Sequence, residues 1–323
     1  MRLSRIVRLL MNNATVVVSG TKVAQEIKSN RAEVWRLVQK LRAYGVDIAG
    51  RPASGYQLRS MPDLMLPDLI EPLIKGTIFS RQVQHFFSIG STNTVAMEAG
   101  AAGAPEGTVF LAEEQTSGRG RAAHSWHSVQ GAGIYCSVLL RPSLPPSDVL
   151  VLSLAAALAV RSAIAEIQPA FAPDLKWPND LLLGERKVCG ILTEMNAEPT
   201  KVRYLVIGIG INVNQQSFPP ALEKHATSLR MATGSEWSRV ELCAALLKSL
   251  HREYADFVRS SASRSAVLRR FAASSSMIRG RSVRVEENGE LEGVTEGLDQ
   301  HGFLRVRTAN GTQTVMSGTV RLR

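Results

Sequence analysis

The chain has 323 residues, of which 45% are apolar, and a formal net charge of +10. This length exceeds what one hydrophobic core usually organises, so two or three domains are expected. No apolar run reaches the roughly 18 residues of a membrane helix, and Arg8 and Asn12 interrupt the apolar stretch near the N-terminus. The composition therefore argues against a signal peptide and a membrane protein, and it favours a cytoplasmic location.

The cysteines and histidines predict no metal centre. Cys136, Cys189 and Cys243 are widely spaced among apolar neighbours, which favours reduced core thiols in a reducing compartment. The six histidines are scattered and form neither an HExxH motif nor a His/Cys cluster.

Positive charge is concentrated at the start of the chain. Residues 1–62 contain eleven Lys or Arg but three Asp or Glu. Such a segmental excess indicates that an acidic polymer is the partner of this segment alone.

The same segment has the pattern of a winged helix-turn-helix. Residues 21–27 are predicted to form one short helix, and Asn30 is predicted to cap a second, with Glu33 three residues later. Apolar residues recur at helical spacing on one face of the second helix, namely Val34, Leu37, Val38 and Leu41. Gly45 is expected to end this helix.

Residues 46–48 and 56–58, joined through 51–55, then resemble a hairpin wing. The predicted DNA contacts lie on the polar helix face and in the wing, and they are Arg31, Trp35, Arg36, Gln39 and Arg51. Arg42 shares the polar face. The alternative for residues 1–62 is a basic helical bundle that contacts proteins.

A linker with a short helix is predicted for residues 63–78, which contain Pro67 and Pro72. Residues 79–275 alternate strand-like and helix-like runs, which predicts an α/β domain with a mixed sheet. The predicted strands are 108–112, 134–140, 181–183, 188–195 and 203–209, and the predicted long helices are 148–167 and 239–258. Ser238 and Glu241 have the spacing of a capping box.

Residues 276–323 change to short β runs separated by glycine turns. The predicted strands are 282–286, 293–298, 303–307, 312–316 and 319–322. Asn288 and Asn310 each precede a glycine, which is a strong hairpin signal. A small SH3-like barrel is expected.

Two basic, glycine-punctuated segments are the candidates for chemistry. The first is residues 118–121 (GRGR), and the second runs from Lys176 through Asp180 to Lys187 and Gly190. Glycines that admit a ligand, next to fixed cations and one carboxylate, suit the binding of a polyphosphate. Alone, the GRGR segment would be interpreted as a flexible surface loop. Asp180 and Lys187 could equally form a structural salt bridge.

Two further patches have polar side chains suited to a small ligand. Residues 208–214 form a strand with two glycines that ends in asparagines, and Asn212 offers a donor and an acceptor together. Because the spacing is not GxGxxG, a Rossmann assignment is disfavoured. Ser91, Thr92 and Asn93 precede a helical run, where they could bind a ligand or cap the helix.

In order along the chain, the segments STN, EEQTSGRGR, KWPNDLLLGERKVCGIL and GIGINVN resemble the biotin protein ligases, and residues 1–62 make the whole chain similar to their bifunctional form. The resemblance implies an α/β multidomain protein with a class II synthetase-like catalytic domain. It implies an enzyme that joins biotin to ATP, with Mg²⁺, and transfers biotin from biotinyl-5′-AMP to the biotin carboxyl carrier protein of acetyl-CoA carboxylase. It also implies that the adenylate promotes homodimerisation and binding to operator DNA.

The resemblance also implies site residues. The biotin contacts would be Ser91, Thr92, Asn93, Gln115, Arg119, Gly120, Arg121 and Lys187. Lys187 would also reach the phosphate, Trp126 and Asn212 would lie at the adenine end, and Asp180 would support the reacting centre. Catalysis is assigned to Lys187, Arg119, Arg121 and Asp180, and Gly190 leaves space for the ligand.

The chain departs from the family pattern after GRGR. Ala122, Ala123 and His124 stand where the family commonly has Gly and then Arg or Asn before Trp126, and His127 replaces an apolar residue. Three alternatives stay open at this stage. They are a lipoate or octanoate ligase or transferase, a transcription factor that senses biotin, and a ligase whose N-terminal unit does not bind DNA.

Overall fold

The computed structural model describes residues 2–51, 54–286 and 290–322, without the side chain of Arg51. The predicted DNA contact of Arg51 and the predicted turn at Asn288 therefore lie outside the described residues. The helices are α1 (Arg2–Met11), α2 (Gly20–Glu26), α3 (Arg31–Ala43), α4 (Pro67–Ile70), α5 (Thr92–Ala101), α6 (Val149–Ile167), α7 (Pro220–Glu223), α8 (Leu229–Thr233), α9 (Arg239–Arg259) and α10 (Ser261–Ala273).

The strands of the described residues belong to three sheets. They are β1 (Asp47–Arg51), β2 (Gly55–Ser60), β3 (Val83–Phe86), β4 (Val109–Ala112), β5 (Gly133–Leu140), β6 (Asp174–Lys176), β7 (Asp180–Leu183), β8 (Arg186–Ala197), β9 (Val202–Asn212), β10 (Arg279–Glu286), β11 (Glu290–Leu298), β12 (Leu304–Thr308), β13 (Gly311–Val315) and β14 (Thr319–Leu322).

The N-terminal unit is a three-helix, two-strand winged helix-turn-helix. The side chain of Asn30 accepts a hydrogen bond from the Glu33 amide at 2.9 Å, which confirms the predicted cap of α3. Gly45 follows this helix with φ of 85°, a left-handed conformation that glycine adopts readily. The sequence analysis did not predict α1, an amphipathic helix that buries Ile6, Val7 and Leu10.

A seven-stranded mixed sheet forms the centre of the molecule, in the order β3-β4-β5-β9-β8-β7-β6. The β3–β4 pair is parallel and the other pairs are antiparallel. Helices α6 and α9 pack on one face, and α5 packs on the other face through Ala96 against Phe110, Leu139 and Val206. The mixed α/β layer predicted for this segment is therefore confirmed.

Helix α6 corrects one expectation about hydropathy. Within the described residues, the segment Pro146–Ile167 is long and apolar enough to cross a membrane, and its most apolar 18-residue window has a mean hydropathy of 1.9. In the structure 67% of its most apolar window is buried, because the helix lies between the sheet and α9. The apolar composition thus belongs to a core helix.

The C-terminal strands form an antiparallel sheet in the order β13-β12-β11-β10-β14, as expected of the small β domain. Its apolar side chains share one core with the central domain, so that Val283 and Leu304 belong to the same cluster as Leu154 of α6. The N-terminal unit has a separate core, to which Leu64, Leu66 and Phe87 contribute from outside it.

Candidate functional site

One cavity collects the motifs that the sequence analysis singled out. It contains about 450 Å³ of empty space, part of it open to solvent, at the middle of the sheet. The predicted site residues that line it are Ser91, Thr92, Asn93, Gln115, Arg119, Gly120, Arg121, Trp126, Lys187 and Gly190. The two basic segments therefore lie on the same side of the sheet.

The polar end of the cavity is held by hydrogen bonds between strands and the start of α5. The Thr92 amide and hydroxyl lie 2.8 and 3.0 Å from Gln115 Oε1, and the Ser137 hydroxyl lies 2.6 Å from Asn93 Oδ1. Gly208 makes this possible, since a Cβ there would lie 2.0 Å from Asn93 Oδ1. Ser91 precedes α5 but makes no capping hydrogen bond through its side chain.

The GRGR segment folds into a small closed loop over this end. The Trp126 amide donates to the Gly118 carbonyl at 2.8 Å, and the Gly120 amide donates to the His124 carbonyl at 2.7 Å. Arg121 Nη1 donates to Asn179 Oδ1 at 3.1 Å, which joins the loop to the turn between β6 and β7. At the departure from the family pattern, Ala122 and Ala123 adopt positive φ angles of 49° and 61°.

The second basic segment places a lysine and a carboxylate next to the loop. Lys187 Nζ lies 2.6 Å from Asp180 Oδ1, an ion pair whose angles fall outside hydrogen-bonding geometry. The same ammonium lies 5.3 Å from the centre of the Trp126 ring, a cation–π distance. The salt-bridge alternative for Asp180 is therefore present within the site itself, and it orients the lysine.

A second cavity continues from the first past Arg121, Trp126 and Lys187. It is larger, with about 1170 Å³ of space that includes open solvent, and residues 317–320 of the C-terminal sheet form one wall. Lys176 and Asp180 also line it. Burial lowers the pKa of Lys176, and the charge of Asp180 opposes this shift.

The C-terminal sheet is anchored next to this wall by Trp177. Its indole Nε1 donates to the Gly302 carbonyl at 2.9 Å, and the ring is buried. The sheet thus fixes the turn that carries Lys176 and Asn179.

Asn212 is the predicted site residue that the structure leaves outside the cavities. It is buried, its Nδ2 donates to the Thr227 carbonyl at 3.1 Å, and its Oδ1 accepts from Gln215 Nε2 at 3.3 Å. These bonds use the amide to brace the segment that follows β9. Neither contact was predictable from the sequence, because Gln215 lies just after the strand and Thr227 lies beyond α7, and no local pattern links them to Asn212.

Residues that the sequence analysis missed include Asn179, Ser137 and Glu194. Asn179 belongs to the KWPND motif, so its neighbours gave a usable signal. Ser137 and Glu194 lie within strands and approach the site through strand register.

The cysteines in the described part of the chain have the core positions that were predicted for them. The three cysteines are free and buried, and burial raises the pKa of the Cys136 thiol to about 12. No group of three or more His, Cys, Asp or Glu residues there could hold a metal ion.

The polar face of α3 is open to solvent around Trp35, whose exposed fraction is 59%. Arg31 lies on this exposed face, and Arg36 is also exposed but pairs with Glu33 at 2.7 Å. A basic helix following a turn is the arrangement that enters the DNA major groove in helix-turn-helix proteins.

These features define a class of protein: an enzyme domain with a cationic, glycine-lined ligand cavity, joined to a winged helix-turn-helix unit. Residues 86–212 match the profile of the Biotin/lipoate A/B protein ligase family, 279–323 match the biotin protein ligase C-terminal domain, and 2–57 match an HTH domain.

Full-length relatives agree with these profiles. The chain is 33% identical to the bifunctional ligase/repressor BirA of Bacillus subtilis over 98% of this chain and 97% of that one. It is 33% identical to the biotin–[acetyl-CoA-carboxylase] ligase of Mycobacterium tuberculosis over 81% and 97%. The structure of the Aquifex aeolicus biotin protein ligase in complex with biotin and ATP is similar, with a TM-score of 0.65, 30% identity, and coverage of 75% and 99%.

The chain therefore belongs to the biotin protein ligase family. Its domain content is that of the bifunctional ligase/repressors within this enzyme family.

Proposed function

We propose that this protein joins biotin to ATP, forming biotinyl-5′-adenylate and pyrophosphate, and then transfers the biotinyl group to a lysine of the biotin carboxyl carrier protein of acetyl-CoA carboxylase. The observation that supports this most is the convergence of Arg119, Arg121 and Lys187 on one cavity. Fixed cations suit a carboxylate that must meet a triphosphate, because each reactant repels the other without them.

The residues around the cavity divide between the two ligands. The proposed biotin contacts are Ser91, Thr92, Asn93, Gln115, Arg119, Gly120, Arg121 and Lys187. Trp126 is proposed to pack against adenine, and Gly190 to leave room on the sheet for the ligand by letting the Trp126 and Lys187 side chains lie close to the backbone. Asn212 is not included, because its amide is occupied by Thr227 and Gln215.

In the first step a carboxylate oxygen of biotin attacks the α-phosphorus in line, and the bond to the bridging oxygen breaks as pyrophosphate leaves. Lys187, Arg119 and Arg121 hold the two anions together and stabilise the charge on the transferred phosphorus. Asp180 keeps the Lys187 ammonium in place. Mg²⁺ would enter with the phosphates of ATP and neutralise the departing pyrophosphate, with Asp180 as the nearby carboxylate.

In the second step the neutral amine of the acceptor lysine attacks the acyl carbon. The bond to the phosphate oxygen breaks, AMP leaves, and the nitrogen loses a proton to give the amide. The closed GRGR loop would shield the adenylate from water until the acceptor arrives.

The N-terminal unit is proposed to bind operator DNA through Arg31, Trp35, Arg36, Gln39 and Arg51, as a homodimer when biotinyl-AMP is bound. The support is the exposed basic face of α3 and the HTH profile. We propose domain limits of 1–62, 63–78, 79–275 and 276–323, and a cytoplasmic location.

The decisive experiment incubates the purified chain with biotin, ATP, Mg²⁺ and a carrier domain, and then measures the mass of both proteins. The carrier should gain one biotinyl group, and lipoate in place of biotin should give no transfer. A chain that binds biotin but leaves the carrier unmodified would be a sensor without ligase activity, and this result would refute the proposal.

A further inference from the structure

Glu194 lies on β8 beneath the GRGR loop and forms a forked contact with Arg119. Arg119 Nη2 lies 2.9 Å from Glu194 Oε1, and Nη1 donates to Oε2 at 3.2 Å. The carboxylate is 24% exposed, so water screens it less than a surface charge. One of these contacts is a hydrogen bond and the other an ion pair, and together they restrict the guanidinium more than a single contact would.

The Glu194 carboxylate is also held by Asn93, at the polar end of the cavity. Asn93 Nδ2 donates to Glu194 Oε2 at 2.9 Å and to the Leu192 carbonyl at 3.1 Å. The side-chain oxygen of Asn93 in turn accepts a hydrogen bond from the Ser137 hydroxyl. Arg119, Glu194 and Asn93 therefore form a continuous chain from the loop to the floor of the cavity.

Glu194 itself is not one of the residues that line the cavity. Both of its partners, Arg119 and Asn93, do line it. The carboxylate therefore acts on a bound ligand through its neighbours.

The charge balance favours an anion at this position. Arg119, Arg121 and Lys187 gather around one cavity, and Asp180 compensates Lys187. Without a second carboxylate, the Arg119 guanidinium would be repelled by the neighbouring cations of the cavity, which would favour an open loop. Glu194 compensates Arg119 while leaving the cavity-facing side of the loop free for ligand.

Resting on the proposed ligase function, we propose that Glu194 is a positioning residue that holds Arg119 in the closed loop and sets how long the adenylate stays bound. Removing its charge loosens the loop and Arg119 with it, but leaves Lys187 and its partner Asp180 in place. Release of the adenylate should therefore accelerate more than its formation slows.

The test loads the protein with biotin and ATP labelled at the α-phosphate, isolates the complex, and follows loss of the label after an excess of unlabelled biotin and ATP. For Glu194→Gln we expect release about tenfold faster than in the unmodified chain, as loss of a charge-assisted forked contact implies. Pyrophosphate from the first turnover should change by less than about threefold.

The matched control is Glu198→Gln, a carboxylate just beyond the end of β8 that is exposed and paired with Arg203 at 2.9 Å. It should release the adenylate at the unmodified rate. Glu194→Asp keeps the charge on a shorter side chain that cannot span both partners, so it should give a smaller acceleration. In an Arg119→Ala background, Glu194→Gln should add little, because the contact is already lost.

Release from a folded Glu194→Gln protein within about twofold of the unmodified rate would overturn the proposal. So would equal acceleration by Glu198→Gln. If thermal melting shows that Glu194→Gln is not folded, Glu194→Asp is measured in the same assay. An adenylate release rate for Glu194→Asp equal to that of the unmodified chain would then refute the proposal. If the unmodified chain forms no labelled adenylate, the ligase function itself fails, which the first measurement shows before any variant is compared.

Discussion

Gly190 and Gly210 face each other on neighbouring strands β8 and β9, and the indole of Trp126 packs against this pair. A Cβ at Gly210 would lie 2.5 Å from Trp126 Cε2, and one at Gly190 would lie 2.9 Å from both Trp126 Cζ3 and Lys187 Cε. Two opposed glycines thus form a shallow slot in the sheet that admits a flat ring.

Gly210→Ala should therefore displace Trp126 from the sheet. We expect the KM for ATP to rise about tenfold or more, with a smaller change in the KM for biotin, because Trp126 is proposed to serve the adenine end. Initial rates of carrier biotinylation at varied ATP measure the effect. Gly90→Ala is the control, since a Cβ there meets nothing within 4 Å.

Lys187→Ala removes the cation that meets both Asp180 and Trp126. Adenylation should fall by about two to three orders of magnitude, as for loss of a preorganised charge at a reacting centre. Pyrophosphate release in a single turnover reports this step directly. Near-normal release would remove Lys187 from the proposed mechanism.

Ala123→Gly tests the cost of the departure from the family pattern. An alanine at a positive φ costs roughly 1–2 kcal/mol in the left-handed region, and glycine avoids most of this cost. The closed loop should become more populated, so the adenylate should be released a few times more slowly. Ala102→Gly is the control, because Ala102 is exposed with an ordinary φ of −79°.

Glu113 is a fully buried carboxylate that links the linker to the central domain. It contacts His85 Nε2 at 2.9 Å, Arg239 Nη1 at 2.7 Å and the Met65 amide at 2.9 Å, and Asp63 approaches Arg239 from the linker. Burial raises the pKa of Glu113, but the contacts with His85 and Arg239 outweigh it and hold the pKa below its usual value.

Glu113→Gln should lower the free energy of unfolding at neutral pH by about 3–5 kcal/mol, because Arg239 loses its buried counter-charge. A lowered folded-state pKa stabilises the protein above the unfolded pKa of about 4.3, and this contribution is lost as the pH falls through the folded-state pKa. Denaturant titrations should show a large difference in unfolding free energy between the unmodified protein and Glu113→Gln at neutral pH, and a smaller difference at acid pH. Glu198→Gln, which is exposed, should show no such difference.

Arg31→Ala should weaken binding to the protein's operator DNA. The fall of log affinity with log salt concentration should also become less steep, by the amount that about one lost phosphate contact implies. Gel shifts over a range of salt concentrations, with biotin and ATP present, provide the measurement. Arg203→Ala, on the central sheet, should leave the slope unchanged. Absence of any shift in the unmodified protein would favour an N-terminal unit that does not bind DNA.

The sequence predicted the elements with strong local signals. Helix α3, with its Asn30 cap and apolar face, is an example, and the long strands β8 and β9 are others. Strand β3 was missed because its four residues, VQHF, do not alternate between apolar and polar. Helix α1 was missed because its arginines were considered only as part of the positive charge of the segment. The helical spacing of its apolar residues was not considered.

The site was predictable where its residues stand together in the chain. Arg119 and Arg121 belong to one motif, whereas Glu194 approaches Arg119 from 75 residues away and Arg239 approaches Glu113 from 126 residues away. Such pairs depend on strand register and helix packing, which local patterns do not specify.

The shared core of the central and C-terminal sheets has a consequence for how the protein can be divided. Cutting the chain near residue 275 would strip Trp177 of its carbonyl partner and bare the apolar floor under α6. A fragment of that kind would lose residues 317–320, which form one wall of the second cavity, so the last strands have to be kept when the chain is shortened.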